Sequence, residues 1–174
     1  MKSLPNLLLI SGTGQNSGKT TLACRLITEF SKQFPITAIK ISPHFHEPPP
    51  QLPVIAAYEG FVIYEEIQYG TGKDSSRFLD AGAQKVYFIT AQRDMQGKAM
   101  EALLEKIPAA APLICEAGGL HHFYKPALHI VTISKNKPPQ KQIPDPADVV
   151  VEFDGVGFQP EVKVEWIGEK WSFL

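Results

Sequence analysis

Residues 12–21 read Gly12-Thr13-Gly14-Gln15-Asn16-Ser17-Gly18-Lys19-Thr20-Thr21, and this segment decides the fold. An apolar run at residues 7–10 precedes it, and an amphipathic stretch that begins at Leu22 follows it. The order of strand, glycine-rich loop, Gly-Lys-Thr and helix is typical of a phosphate-binding P-loop. All ten residues of the segment are therefore predicted to bind a nucleoside triphosphate.

The residue types in this segment suit a polyphosphate ligand. Gly14 and Gly18 allow the backbone to bring several N–H groups close to phosphate oxygens, and the positive end of the following helix faces the same ligand. Lys19 is expected to neutralise the β- and γ-phosphates, and the Thr20 hydroxyl is expected to bind Mg²⁺. The spacing departs from the usual motif, because five residues rather than four separate Gly12 from Gly-Lys-Thr.

The composition is that of an ordinary globular protein. The chain has 174 residues and a formal net charge of −1, which suits one domain with a buried core. No basic run indicates binding to nucleic acid or to a membrane surface, and no apolar stretch approaches the length of a membrane span. Cys24 and Cys115 lie in apolar segments and are expected to be reduced, as in the cytoplasm. We predict one cytoplasmic P-loop nucleotide-binding domain over residues 1–174, with neither nucleic acid nor a membrane as partner.

Short apolar runs alternate with helical patterns along the chain. Strands are predicted at residues 7–11, 36–41, 86–90, 113–116, 130–134 and 149–153, and two short strands within residues 54–69. Helices are predicted from residue 22 to before Pro35, over residues 74–82 with Asp74 or Ser75 as the cap, and over residues 97–107. Residues 162–167 and 170–174 indicate a C-terminal hairpin. The pattern favours an α/β fold of the P-loop NTPase type, a mostly parallel sheet with helices on both faces.

Two charged residues stand at or near the ends of predicted strands, Lys40 and Glu116, and glycines follow Glu116 at Gly118 and Gly119. Ligands of parallel sheets bind at the carboxyl ends of the strands, so both side chains are expected beside the glycine-rich segment. Glu116 is predicted to reach Mg²⁺, and Lys40 a phosphate or an anionic substrate; solvated strand ends are the alternative. The predicted catalytic residues are Lys19, Lys40 and Glu116, and the predicted metal ligands are Thr20 and Glu116.

The histidines leave alternatives open. His44, His46 and Glu47 lie in a proline-rich loop at residues 42–53, and His121 and His122 follow Gly119. Each group consists either of ligands for a metal or an anion or of ordinary surface side chains.

Two further segments are also ambiguous. Residues 73–76 either begin a second anion-binding helix or form an ordinary capped turn. Asn136-Lys137 forms only part of a guanine-reading Asn-Lys-x-Asp motif, because Pro139 fills the fourth position. The choice between GTP and ATP therefore stays open.

Taken together, several segments resemble the MobB family, the P-loop adaptor proteins of molybdopterin-guanine dinucleotide biosynthesis. Gly72-Lys73-Asp74-Ser75, continuing to Asp80-Ala81-Gly82-Ala83, is similar to a stretch of that family in sequence and position. Residues 40–46 resemble its lysine- and histidine-rich motif, although Ile41 fills the first histidine slot. The resemblance covers residues 6–153. It implies a GTP-binding accessory protein of molybdenum-cofactor biosynthesis, which acts through a partner protein of that process or as a homodimer. Slow intrinsic hydrolysis is expected, since no residue that positions water and no arginine finger is recognisable.

A second resemblance leads to a different function. The spacing from Gly12 to Thr20 is the same as in dethiobiotin synthetases, and Lys40 and Glu116-Ala117-Gly118-Gly119 look like corresponding parts of that family. This resemblance implies an ATP-dependent ligase in which the two lysines and the glutamate assist the attack of a carbamate on ATP. The chain is short for that family. Both resemblances imply Mg²⁺ and a nucleoside triphosphate as ligands.

Overall fold

The structure is a computed structural model that describes residues 1–174, with eleven β-strands, three α-helices and two short 3₁₀ turns. The strands are β1 Lys2–Gly12, β2 Thr37–Ser42, β3 Val54–Tyr58, β4 Phe61–Glu65, β5 Lys85–Ala91, β6 Leu113–Glu116, β7 Tyr124–Ser134, β8 Val149–Phe153, β9 Phe158–Gln159, β10 Val164–Ile167 and β11 Lys170–Phe173. The helices are α1 Lys19–Phe30, α2 Asp74–Asp80 and α3 Gln96–Leu104. No helix is long and apolar enough to cross a membrane.

Nine strands form one sheet in the order β3-β4-β5-β2-β6-β1-β7-β8-β9. The six strands from β5 to β8 in this order are mutually parallel, whereas β3, β4 and β9 pair antiparallel at the two edges. β10 and β11 form the separate antiparallel hairpin predicted for the C-terminus. The mixed α/β prediction with a mostly parallel sheet is therefore confirmed.

Both faces of the sheet are covered, because successive side chains of a strand point to opposite faces. Leu8 and Ile10 of β1 belong to a core cluster of 20 buried residues with α1, α2 and the C-terminal hairpin. Leu7 and Leu9 belong to the opposite cluster of 18 buried residues with α3. Trp171 of the hairpin is fully buried in the first cluster, and its indole N–H donates to a carbonyl of β6 at 3.1 Å. These central strands are nearly continuous apolar runs for this reason.

Some predicted boundaries were wrong. β1 and β7 extend to residues 2 and 124, because their polar starts pair with each other as Lys2 with Tyr124. β9 was not predicted, since a two-residue edge strand has no periodicity to detect. The proposed caps of α2 were also wrong: Lys73 occupies the N-cap position without a side-chain hydrogen bond, and Asp74 is the first helical residue. Gly82, with φ of 105°, follows the end of α2 as predicted.

Candidate functional site

Parallel pairing brings three strand ends together beside the glycine-rich segment. Ile10 of β1 and Lys40 of β2 are both register partners of Glu116 in β6. Successive residues of a strand point to opposite faces of the sheet. By this alternation, Lys40 and Glu116 both point to the face that α1 and α2 cover. Both residues lie at the carboxyl edge of the sheet, as expected, and the structure adds that their side chains are in contact.

Four side chains form a connected group here, which we call the edge cluster: Thr20, Lys40, Asp74 and Glu116. The Lys40 Nζ atom donates to Glu116 Oε1 at 2.5 Å and to Asp74 Oδ2 at 2.8 Å. The Thr20 hydroxyl donates to Glu116 Oε2 at 2.8 Å. The buried Glu116 carboxylate thereby links the end of β6 to the start of α1 and the end of β2, and Lys40 extends the link to the start of α2.

Sequence reasoning missed Asp74 as a member of this group. It treated the residue as a helix cap, although the side chain binds Lys40 instead of its own helix. A local signal was present in the Gly-Lys-Asp-Ser stretch, but the partner of Asp74 lies 34 positions away in the chain. Only the pairing of β2 with β5, which α2 precedes, brings the two residues together.

Charge is strongly concentrated in the edge cluster. Glu116 is 2% exposed, and the side chain of Lys40 is 15% exposed. Burial acts to lower the pKa of Lys40, but Glu116 and Asp74 outweigh it, and the pKa is raised above its ordinary value. Burial likewise acts to raise the pKa of Asp74, but the charge and hydrogen bond of Lys40 hold it below its ordinary value. Lys40 and Asp74 are therefore both ionised at neutral pH.

Residues 12–18, which we call the glycine loop, connect β1 to α1 by a tight path. Asn16 and Gly18 have left-handed backbones, with φ of 57° and 89°. A Cβ atom on Gly18 would lie 2.6 Å from the Phe153 ring, and one on Gly12 would lie 2.5 Å from Ser17 Oγ. Gly18 is thus favoured both by its positive φ and by the close approach of Phe153, whereas a side chain at Gly12 would require Ser17 to move.

The backbone donors of this segment have no partners within the chain. None of the N–H groups of residues 14–21 donates a hydrogen bond to a protein atom, and the first that does is Leu22, to the Gly18 carbonyl at 2.9 Å. The first N–H groups of any helix have no partner within that helix, and here the series extends back to residue 14. Such a series of free donors at a helix start can bind an anion.

Lys19 adds a positive charge to the same place. Its ammonium donates to the Gly14 carbonyl at 2.6 Å, so the side chain folds back over the loop. Burial lowers the pKa of Lys19; Glu116 opposes this effect, whereas Lys40 and Lys141 add to it. An anion bound at the loop would offset both the burial and the repulsion between lysines.

The oxygen donors of the edge cluster fit a hard divalent cation. Mg²⁺ prefers hydroxyl and carboxylate oxygens and is commonly held by one or two carboxylates together with substrate phosphates. Thr20 and Glu116, the predicted metal ligands, lie in direct contact, and Asp74 provides a second carboxylate that reaches the same lysine. Their chemistry is therefore compatible with Mg²⁺ next to a phosphate at the glycine loop.

The histidines do not form a metal site. His44 and His46 are exposed in the proline-rich loop, and no group of three or more histidine, cysteine or acidic side chains has an arrangement that could hold a metal ion. His121 is buried, with its ring 4.0 Å from that of His122 and 5.2 Å from that of His129. Burial and the two neighbouring imidazoles lower the pKa of His121 to about 4. His121 is therefore neutral at physiological pH.

Asn136 has a structural contact. Its side-chain amide donates to the Asp154 carbonyl at 3.2 Å, which ties the end of β7 to the end of β8. This contact does not distinguish guanine from adenine, and the choice between GTP and ATP stays open.

Comparison of this chain with protein-family models, with curated proteins and with solved structures found no match.

Proposed function

We propose that this chain is a P-loop protein that binds a nucleoside triphosphate together with Mg²⁺. The observation that carries the proposal is the run of unpartnered N–H groups at residues 14–21, with Lys19 folded over it. Phosphate oxygens are the ligands that such a combination of backbone donors, helix dipole and lysine suits best.

Each residue of the site has a role in this proposal. The N–H groups of the glycine loop and of the start of α1 bind phosphate oxygens. Lys19 exchanges the Gly14 carbonyl for the β- and γ-phosphates. Thr20 and Glu116 would hold Mg²⁺, directly or through water, with Asp74 as a further carboxylate. The metal, when bound, would neutralise charge on the phosphates.

Lys40 is the residue that links nucleotide and cation in this scheme. Its ammonium contacts both carboxylates that the cation would use. A terminal phosphate beside the loop gives the ammonium another anionic partner, so Lys40 can leave the carboxylates when Mg²⁺ arrives with the nucleotide. This exchange keeps every charge of the cluster paired before and after binding.

The leading function is a GTP-binding accessory protein similar to the adaptor of molybdopterin-guanine dinucleotide biosynthesis. Residues 72–83 and 40–46 support it through their resemblance to the MobB family. Residues 72–83 also contribute directly to the site, because Asp74 within them belongs to the edge cluster. Hydrolysis is slow without a partner, since neither a residue that orients water nor an arginine finger is recognisable in the chain. The protein then acts through a partner of the molybdenum-cofactor machinery or as a homodimer.

One observation favours a second candidate function. Lys40 and Glu116, 2.5 Å apart next to the glycine loop, are the lysine and glutamate that resemble those of dethiobiotin synthetases. An ATP-dependent ligase would use the two lysines to neutralise charge as a carbamate attacks the terminal phosphate. This candidate requires ATP rather than GTP, and turnover that depends on a diamine acceptor and bicarbonate.

Thermal melting with Mg²⁺ and GTP, ATP or their non-hydrolysable analogues tests the proposal. A ligand at one hundred times its Kd stabilises the fold by about 2.7 kcal/mol, which is a clear increase in Tm. Lys19→Ala should lose the increase, whereas Lys170→Ala, an exposed lysine of the C-terminal hairpin, should keep it. An increase with GTP alone supports the accessory protein, and one with ATP alone supports the ligase. No increase with either nucleotide would contradict the proposal.

A further inference from the structure

The segment between β7 and β8, residues 135–148, lies against the start of the glycine loop; we call it the strap. The backbone N–H groups of Gln140 and Lys141 both donate to the Thr13 carbonyl, at 2.8 and 2.9 Å. The Gln140 side chain also packs on Gly14, where a Cβ atom would meet it at 3.1 Å. The strap is therefore in direct contact with the loop at Thr13 and Gly14.

One buried histidine fixes the far end of the strap. His129 of β7 hydrogen-bonds through Nδ1 to the Pro146 carbonyl at 2.9 Å, and its backbone N–H donates to Asp148 Oδ2 at 2.7 Å. Its other ring nitrogen, Nε2, lies 2.8 Å from the hydroxyl of Ser11, the residue before the glycine loop. The same imidazole thus holds both the strap and the end of β1, so the two segments keep a fixed relative position.

Lys141 is brought close to the loop without an acidic partner. None of the six ion pairs in the structure includes it. Its charge is one of those that lower the pKa of Lys19. Lys141 is exposed, and its positive charge acts on Lys19 in the same direction as that of Lys40. A multiply charged anion bound beside the free N–H donors would reduce this repulsion.

We propose that the strap is the second wall of the phosphate site and that Lys141 is an additional phosphate-binding lysine, supplied from outside the glycine loop. This inference depends on the proposed function and assigns a residue that no motif in the chain marks. The site would then hold a polyphosphate between α1 and the strap, with Lys19 and Lys141 on its two sides. The backbone anchors to Thr13 set the position of Lys141, so an alanine there removes the charge and leaves the strap in place.

Calorimetric titration with MgGTP and with MgATP over a series of salt concentrations tests this role. Lys141→Ala should lower the affinity for the nucleotide that binds more tightly about tenfold. This is the loss expected for one charge-assisted hydrogen bond. It should also make the affinity less dependent on salt, because one ionic contact is lost. Lys137→Ala is the matched control: Lys137 is an exposed lysine of the same strap, and the change should alter neither quantity.

The outcomes separate the two proposals. If the wild type binds nucleotide, Lys19→Ala abolishes binding and Lys141→Ala behaves like Lys137→Ala, the role of Lys141 is wrong and the phosphate site stands. If the wild type binds neither nucleotide, the proposed function fails and this inference fails with it. If Lys141→Ala weakens binding with an unchanged salt dependence, the residue acts through the shape of the strap, which also contradicts the proposal. Melting curves without nucleotide should coincide for the two strap variants.

Discussion

Replacement of Lys40 by methionine should destabilise the protein strongly, because it leaves Glu116 buried without its cation. At the Lys40 Nζ to Glu116 Oε1 distance of 2.5 Å, the direct attraction is about 6–7 kcal/mol for an effective dielectric constant near 20. Desolvation of both groups cancels much of this attraction, and removal of one member of a buried pair typically costs about 3–5 kcal/mol. The edge cluster is partly open, since Asp74 is 42% exposed, so the lower end of that range, about 3 kcal/mol, is expected.

Urea denaturation at neutral pH measures this cost, and a double-mutant cycle assigns it. Lys40→Met with Glu116→Gln removes both charges and should recover most of the loss, because the glutamine can still accept from the Thr20 hydroxyl. Lys73→Met removes an exposed lysine next to Asp74 and should change stability by about 0.5 kcal/mol or less. If Lys40→Met costs no more than Lys73→Met, or if the two edge-cluster changes simply add, the argument for a coupled buried pair is refuted.

Three further predictions concern packing and pH. Gly18→Ala should destabilise the protein more than Gly70→Ala. Both glycines have positive φ, but only a Cβ atom at residue 18 would clash with Phe153. Equal losses of stability in urea denaturation would contradict the clash. Because the pKa of His121 is about 4 when folded and lies below its ordinary value of 6.5, the unfolded chain takes up the proton first. Stability should therefore fall as pH drops from 6.5 towards 4, and His121→Leu should reduce the difference in Tm between pH 7 and pH 4.5. Trp171→Phe should cost about 1–2 kcal/mol in denaturation experiments through its lost hydrogen bond and volume, whereas an unchanged midpoint would show that the hairpin contributes little.

Local patterns were sufficient for most of the sheet and the helices. The apolar runs that became β1, β2, β5 and β6 contribute buried residues to the clusters on both faces of the sheet, and a buried parallel strand has no polar alternation to obscure it. The position of Lys40 and Glu116 at one edge of the sheet followed from one topological rule, because parallel strands end at the same edge. Their direct contact was not predicted.

The parts that could not be predicted depend on contacts between distant segments. Asp74 joins the edge cluster only because α2 begins beside the end of β2, and helix-cap statistics cannot show that. Lys141 lies in a polar loop without a motif, and its position is set by backbone bonds to Thr13. His129 had a visible signal, a titratable side chain within an apolar run, but its partners Ser11 and Pro146 required the fold.

The central claim is that the free backbone donors of residues 14–21 bind phosphate, and amide NMR tests it most directly. In ¹H–¹⁵N correlation spectra of the protein titrated with the magnesium complex of a non-hydrolysable GTP or ATP analogue, the amide protons of these residues should move downfield as they form hydrogen bonds. The shifts should be largest in this segment and absent in Lys19→Ala. Shifts confined to other parts of the chain, or no shift with either analogue, would contradict the claim.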